Sequence, residues 1–195
     1  MEFDEYKKNL ASLIEWNKQF DSKDRNEATT RFQLIDKLIF KCLDWKEENC
    51  IAEEAEDNQY TDYTFLNPNR IMIIEAKREG VYFELPLGLK RRTYKIDSLF
   101  EKDTKIREAI EQVLKYCNQR GVTIGSVTNG TQFIIFIASR NDGISPLDGK
   151  AIVYDSLDDI YENFLQFWQF MSVSGISDKK KKKELLGISV PLLPA

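Results

Sequence analysis

Three charged residues lie in a part of the chain whose pattern predicts β-strands. Glu75 and Lys77 end the apolar stretch that begins at Arg70, and Asp62 interrupts the alternating stretch before it. An ionised group that leaves water costs several kcal/mol unless it is compensated, so charges in such stretches are either paired or functional. Residues two apart on a strand share a face, and Asp62 can lie beside the other two on the adjacent strand. The spacing therefore predicts two carboxylates and one ammonium group at one place on a sheet.

Such a group is suited to the hydrolysis of phosphodiester bonds. Two carboxylates on rigid strands can bind Mg²⁺, which prefers oxygen ligands and retains several waters. A divalent cation polarises a phosphoryl oxygen and lowers the pKa of a bound water, while an ammonium group stabilises developing negative charge. The chain contains no histidine, which excludes histidine-dependent triads and histidine-bound zinc. The alternative is a solvated cross-strand ion pair, which would contribute little stability.

The pattern acid-x-lysine is weak evidence when taken alone. It recurs at other places in the chain, for example at Asp44-Trp45-Lys46. Only Glu75-Ala76-Lys77 follows an apolar strand and has an aspartate on the preceding strand. The context, rather than the tripeptide, therefore supports a catalytic interpretation.

The composition is that of an ordinary globular domain. The 195 residues are 42% hydrophobic, which is sufficient for one core. No apolar stretch approaches the roughly 20 residues that cross a bilayer, and the N-terminus is acidic, so we expect no membrane segment, no signal peptide and a cytoplasmic location. Cys42, Cys50 and Cys117 have no metal-binding spacing, which favours reduced packing residues.

The charge distribution bears on DNA binding. The net charge is -4, which argues against binding to nucleic acid by bulk electrostatics alone. Residues 77–107, in contrast, contain nine basic and five acidic side chains. One local patch could therefore face phosphates.

Hydrophobic periodicity predicts the elements that would position the charged residues. The predicted helices span residues 4–20, about 24–44, 104–121 and about 157–171, the second starting with a capping box formed by Asp24 and Glu27. The predicted strands are residues 50–56, the hairpin 59–66 and 70–77, the segments 81–86 and 91–96, a second hairpin around Asn129-Gly130, and 150–156. This order predicts an α/β domain with a central mixed β-sheet, mostly antiparallel, flanked by helices.

These segments resemble the PD-(D/E)xK nuclease superfamily, and within it the N-terminal nuclease domain of type I restriction enzyme motor subunits. "NEATTRFQLIDKLIFKCLDW" resembles the opening helix of that family, "YTDYTFL" its aspartate strand and "IMIIEAK" its Glu-x-Lys strand. "EQVLKYCNQRGVTIGSVTNGTQFIIF" resembles its Gln-x-x-x-Tyr helix and Thr-Asn-Gly hairpin. Thr61 departs from the pattern, because many members have Pro or Gly before the aspartate. The resemblance implies a restriction-endonuclease-like core.

The resemblance also implies a set of catalytic residues, which are Glu27, Asp62, Glu75, Lys77, Gln112 and Tyr116. Asp62 and Glu75 would bind Mg²⁺ or Mn²⁺, Glu27 would bind the metal or position a water, and Lys77 would be the catalytic lysine. Gln112 and Tyr116 are four apart on a helix, so both can reach one side of it. The family uses these residues near the DNA backbone and the active site. Capping and the helix dipole explain Glu27 equally well, and the last two could also be ordinary helix-surface residues.

The predicted organisation is one nuclease-like domain over residues 1–175 and a lysine-rich linker over residues 176–195, leading to a further domain. The resemblance implies a DNA-cutting effector of a larger restriction or antiphage defence protein. Its expected partners are DNA, a downstream ATPase or sensor domain on the same chain or on a partner, and further copies of the chain in a homo-oligomer. Two alternatives are a catalytically inactive nuclease-fold module that binds nucleic acid or protein, and an interaction domain that uses the aromatic segment 160–171.

Overall fold

A computed structural model describes residues 3–19, 25–56, 59–85, 93–101, 103–140 and 142–176. In these residues the chain forms an α/β fold with a seven-stranded mixed sheet flanked by helices, which confirms the predicted α/β class and the mixed, helix-flanked sheet. Nearly all of the predicted linker, residues 177–195, lies outside the described residues.

The helices and strands alternate along the chain much as predicted. The helices are α1 (Phe3–Lys18), α2 (Glu27–Thr30), α3 (Asp36–Cys42), α4 (Ile96–Phe100), α5 (Thr104–Arg120), α6 (Leu157–Glu162), α7 (Phe164–Met171) and α8 (Val173–Ile176). The strands are β1 (Cys50–Glu56), β2 (Gln59–Leu66), β3 (Arg70–Ala76), β4 (Thr93–Lys95), β5 (Ile124–Thr128), β6 (Phe133–Ile137) and β7 (Lys150–Tyr154). A π-helical turn, Arg31–Ile35, joins α2 to α3.

The strands lie in the order β1-β2-β3-β5-β6-β7-β4. The neighbours β3 and β5 are parallel, and the other neighbouring pairs are antiparallel. A parallel pair requires a crossover connection, and α5 lies in the connection between these two strands. The strand that carries Glu75 therefore lies inside the sheet, between β2 and β5.

Hydrophobic side chains fill both faces of the sheet. On one face, side chains of α1, α3, α6 and α7 pack with strand residues that include Tyr63 and Ile74. On the other face, α4 and α5 pack with residues that include Ile73 and Val127. Because alternate residues of a strand face opposite sides, Glu75 shares the face of Ile73 and points toward the α5 side.

Local sequence signals explain several boundaries. The helix α5 ends at Gly121, whose φ of 66° is readily adopted only by glycine. The β5–β6 hairpin turns at Asn129-Gly130, as predicted, and Gly130 has a φ of 91°. The apolar positions predicted on α5 are all buried; they are Ile106, Ile110, Val113, Leu114 and Cys117.

Two predicted helix boundaries were wrong. The helix at residue 27 is capped by Asn26, whose side chain accepts a hydrogen bond from the Thr29 N–H, so Glu27 is its first residue rather than part of a capping box. Asp24 lies outside the described residues. The predicted helix 157–171 is interrupted at Asn163, where the backbone has a φ of -115° and a ψ of 30°.

The predicted strand 81–86 is also wrong over residues 81–85, which form no strand, and residue 86 is not described. Backbone groups of this segment form hydrogen bonds with side chains instead of with a neighbouring strand. The Gln132 amide bonds both the N–H and the carbonyl of Phe83, at 2.8 and 3.1 Å, and the Asn129 amide donates to the carbonyl of Val81. The predicted strand 91–96 is shortened to β4, because Ile96 already begins α4.

Cys42 and Cys117 are buried and Cys50 is half-buried, all with free thiols. Burial raises the pKa of each thiol to about 12, which fits packing residues with little reactivity. Within the described ranges, no helix has both the length and the apolar composition needed to cross a bilayer.

Candidate active site

Asp62 and Glu75 lie on neighbouring antiparallel strands. The ladder pairs Tyr63 with Ile74, and the same register continued by one residue sets Asp62 opposite Glu75. Directly opposed residues in an antiparallel pair point to the same face. One carboxylate oxygen of Asp62, Oδ2, accepts a 2.7 Å hydrogen bond from the backbone N–H of Ala76, which fixes the aspartate beside the end of β3.

The Glu75 carboxylate is almost completely buried, with 4% of the residue exposed. Its Oε1 accepts a 2.7 Å hydrogen bond from the Lys77 ammonium. Its Oε2 is buried and has no hydrogen-bond partner among the residues that the structure describes. Burial, with repulsion from Asp62 and Glu27, raises the pKa of Glu75 to about 7 despite the opposing effect of Lys77.

Lys77 follows β3 directly, and its backbone N–H donates a 2.7 Å hydrogen bond to the carbonyl of Thr128. Burial lowers the pKa of the Lys77 ammonium, but the hydrogen bond and charge of Glu75 outweigh it, so the pKa lies above its ordinary value. The ammonium is therefore charged. It also lies 3.5 Å from Oε1 of Gln112, whose amide nitrogen donates to the Tyr116 hydroxyl at 3.0 Å. Gln112 and Tyr116, the two residues predicted on α5, thus form a chain of polar contacts that ends at the Lys77 ammonium.

Glu27 lies at the first position of α2 and is exposed. Its charge raises the pKa of both Glu75 and Lys77, so it lies within electrostatic range of the pair. The structure therefore places Glu27 at the margin of the cluster, where its influence is through charge.

Sequence analysis missed Arg31, which the structure places against Asp62. The guanidinium Nη1 lies 3.4 Å from Asp62 Oδ1, and Nη2 donates to the Asp62 carbonyl at 3.3 Å. Burial raises the pKa of Asp62, and the repulsion of Glu53 adds to it, against the Ala76 hydrogen bond and the charges of Arg31 and Lys77. The signal that could have found this arginine is its spacing, four residues after Glu27 on the same helical segment.

The residues present fit a divalent cation bound by few protein ligands. In the described part of the chain, no group of three or more His, Cys, Asp or Glu side chains is arranged to hold a metal ion. Mg²⁺, however, is commonly bound by one or two carboxylates, with waters and substrate phosphates as the other ligands. The buried Oε2 of Glu75, which lacks a partner, is the kind of acceptor that a cation would satisfy.

Comparison with known proteins gave no match to a family model, to a curated protein or to a solved structure.

Proposed function

We propose that the chain is a metal-dependent endonuclease domain, with a restriction-endonuclease-like PD-(D/E)xK core, that hydrolyses phosphodiester bonds of DNA. One observation carries most of the support. The buried carboxylate of Glu75 is bonded through one oxygen to Lys77 and has no partner for the other, and Asp62 stands opposite on the next strand. A purely structural ion pair would be expected to satisfy both oxygens of a buried carboxylate.

Each residue of the cluster has a role in this proposal. Asp62 and Glu75 would hold Mg²⁺ or Mn²⁺, with Glu27 adding negative charge nearby. The bound cation would supply Lewis acidity and lower the pKa of a water molecule. Lys77 keeps a positive charge beside Glu75, where it can stabilise the charge that develops on a phosphate.

The helix α5 supports the lysine in this arrangement. The Gln112 carbonyl oxygen faces the Lys77 ammonium at 3.5 Å, and the Tyr116 hydroxyl holds the amide end of Gln112. Tyr116 is itself 7% exposed, so its position is fixed by the core. The pair therefore limits the directions in which the lysine can turn.

We further propose that the domain serves as a cytoplasmic effector of a larger restriction or antiphage defence protein. Its net charge of -4 fits a nuclease that obtains DNA affinity from other domains, such as an ATPase or sensor, or from assembly into a homo-oligomer. Linked binding sites raise the effective concentration of the nuclease at DNA without any new contact in this domain.

A nuclease-fold module without catalytic activity is the second candidate. The observation in its favour is that Asp62 is already engaged, by the N–H of Ala76 and by the Arg31 guanidinium. In that case the charged cluster would be an internal ion-pair network, and the domain would bind nucleic acid or protein without cutting.

Cleavage of supercoiled plasmid with Mg²⁺, Mn²⁺ or EDTA tests the two candidates. We expect nicking or cutting that depends on the cation, and a loss of about 100-fold or more in Glu75→Ala and Lys77→Ala. The matched control is the exposed pair Lys46 and Glu48, also two residues apart, whose nitrogen and oxygen are 3.5 Å apart. Replacing either with Ala should leave the rate unchanged.

Two results would contradict the nuclease proposal. One is cutting by the Glu75 and Lys77 variants at the rate of the parent, which would place the activity elsewhere. The other is a parent protein that binds DNA but cuts under no cation, which would favour the inactive module. Circular dichroism of each variant checks that the fold is retained.

A further inference from the structure

Arg31 is held near the proposed active site by contacts that are long for an ion pair. Its Nη1 is shared between Asp62 Oδ1 at 3.4 Å and Glu53 Oε1 at 3.1 Å. Charge-assisted hydrogen bonds of this kind are typically about 2.7–2.9 Å long. We propose that Arg31 binds a phosphate of the DNA substrate, and that Asp62 and Glu53 hold the guanidinium ready until the substrate arrives. This inference rests on the proposed nuclease function.

Two other arginines with buried side chains make shorter contacts with their partners. Arg25 bonds Asn17 at 2.6 Å, Glu79 at 2.8 Å and Gln33 at 3.0 Å. Arg140 binds both carboxylate oxygens of Asp142, at 2.5 and 3.0 Å.

Arg31 differs from both, because two acids share one of its nitrogens and neither lies at short range. Its nitrogens therefore lack the short, two-pronged contact that a guanidinium makes with a well-matched oxyanion.

The position of Arg31 allows a ligand to reach it. The guanidinium carbon lies 4.9 Å from the centroid of the Tyr63 ring, and the Tyr63 hydroxyl donates a 2.6 Å hydrogen bond to Asp36. Arg31 also lines an open groove of about 410 Å³ on the side of the sheet that Tyr63 faces, next to the exposed ring of Phe32. Asp62, Glu75 and Lys77 are not among the residues that line this groove. The side chain is thus oriented by a fixed aromatic ring and is 16% exposed, at the edge of this groove.

Glu53, which contacts Arg31, has an unusual backbone conformation. Glu53 lies opposite Asp62 in the β1–β2 ladder, between the pairs Ala52–Tyr63 and Glu54–Thr61. Its φ is 52°, a left-handed conformation that side chains other than glycine rarely adopt. Such strained residues concentrate at functional sites. Here the strained residue places a carboxylate on Arg31.

Charge balance explains why Arg31 would change partners. Without a cation, the guanidinium compensates part of the charge of Asp62. A divalent cation held by Asp62 and Glu75 would take over that compensation, and Arg31 would keep Glu53 and the Asp62 carbonyl as its partners. Its remaining N–H groups could then bind a phosphate, for which a planar guanidinium is well matched.

Three measurements on Arg31→Met test the inference, with Lys46→Met as the control for loss of an exposed cation. Titration of the protein alone with Mn²⁺ should give an affinity at least as high as that of the parent, since a competitor for Asp62 is gone. Affinity for a labelled DNA duplex in Ca²⁺ should fall about tenfold. The slope of log affinity against log salt should become shallower by about one phosphate contact.

Arg31→Lys should recover part of the DNA affinity, because it restores the charge but not the fork geometry. If Arg31→Met binds DNA like the parent, or if it weakens Mn²⁺ binding, Arg31 only supports Asp62 and the inference is wrong. A parent protein that neither binds Mn²⁺ nor cuts DNA would overturn the proposed function, and the inference with it. These outcomes distinguish a failure of the Arg31 inference from a failure of the nuclease proposal.

Discussion

The Lys77 ammonium bonds one oxygen of the Glu75 carboxylate at 2.7 Å, while the other oxygen is buried and without a hydrogen-bond partner in the described structure. A buried, ionised carboxylate that is only half satisfied costs free energy. The protein therefore carries a local instability at this pair, and a bound cation would relieve it.

The instability predicts a pH dependence in the protein without metal. The pKa of Glu75 is about 7 in the folded state, against an ordinary value of 4.5. Between these values the folded state binds the extra proton, so the free energy of unfolding should fall as the pH rises from about 4.5 to about 7. Glu75→Gln should lack this component and should be more stable than the parent at pH 8, by roughly 3–4 kcal/mol at most.

Urea unfolding in EDTA at pH 4.5 and pH 8 measures the effect. The control is Glu48→Gln, which changes an exposed acid and should alter the stability little at either pH. A difference between Glu75→Gln and the parent that is equal at both pH values would show that the carboxyl does not titrate as described.

Gly125→Ala should destabilise the fold and slow cleavage together. A β-carbon at Gly125 would lie 2.6 Å from Val113 Cγ1 and 2.9 Å from the ring of Phe136. Overpacking of this kind typically costs about 1–3 kcal/mol. We expect α5 to move away from the sheet and to take Gln112 away from Lys77.

Gly80→Ala is the matched control, because nothing lies within 4 Å of its added β-carbon, and it should stay within about 0.5 kcal/mol of the parent. Thermal unfolding and plasmid cleavage give the two readouts. A Gly125→Ala protein as stable as the parent would mean that the helix and sheet are less tightly packed there.

Glu79→Ala should be among the more damaging single changes outside the cluster. Glu79 binds Arg25 at 2.8 Å, and the two side chains are 8% and 5% exposed. Removal of one partner leaves a buried charge that is less well compensated, which typically costs about 3–5 kcal/mol. The exposed acid Glu48, replaced in the same way, should cost about 0.5 kcal/mol or less. Chemical denaturation of both variants makes the comparison, and equal losses would contradict it.

Gln132→Ala should loosen the segment that follows the lysine. Gln132 is fully buried and bonds the Phe83 backbone at both its N–H and its carbonyl. Both backbone groups would lose a partner, at about 1–3 kcal/mol for each group that stays buried. Hydrogen exchange should show faster exchange at the Phe83 amide, whereas Gln19→Ala, at an exposed position after α1, should not change it. Unchanged protection of the Phe83 amide would show that Gln132 does not hold this segment in place.

The sequence predicted the β2–β3 hairpin and α5 because their signals are local. Alternating residues and the Asn-Pro-Asn turn defined the hairpin and predicted that Asp62 can lie beside Glu75. The pairing of Asp62 with Glu75 also depends on a register shift between Phe65 and Leu66, which the sequence analysis did not predict. The periodic apolar face and the final Gly121 defined α5. Features of this type depend on neighbours in the chain and need no knowledge of the tertiary fold.

The failures at segment 81–85 and at Arg31 involve contacts between distant residues. Segment 81–85 has strand-like residues, but the Gln132 side chain satisfies its backbone from 49 positions away. Arg31 reaches Asp62 across 31 positions. The spacing of Arg31 from Glu27 can place both on one side of a helical segment, but it does not identify Asp62 as the partner. The contacts of Arg31 and Gln132 exist only after the sheet and the helices have assembled.

The backbone hydrogen bond from Lys77 to Thr128, and the parallel pairing of β3 with β5, make the proposed catalytic lysine dependent on residues made much later during translation. A nascent chain that has left the ribosome only as far as the first hairpin has both acids but no neighbouring strand to hold the lysine. If the proposed function is correct, nascent chains should lack cleavage activity until the second hairpin has emerged from the ribosome.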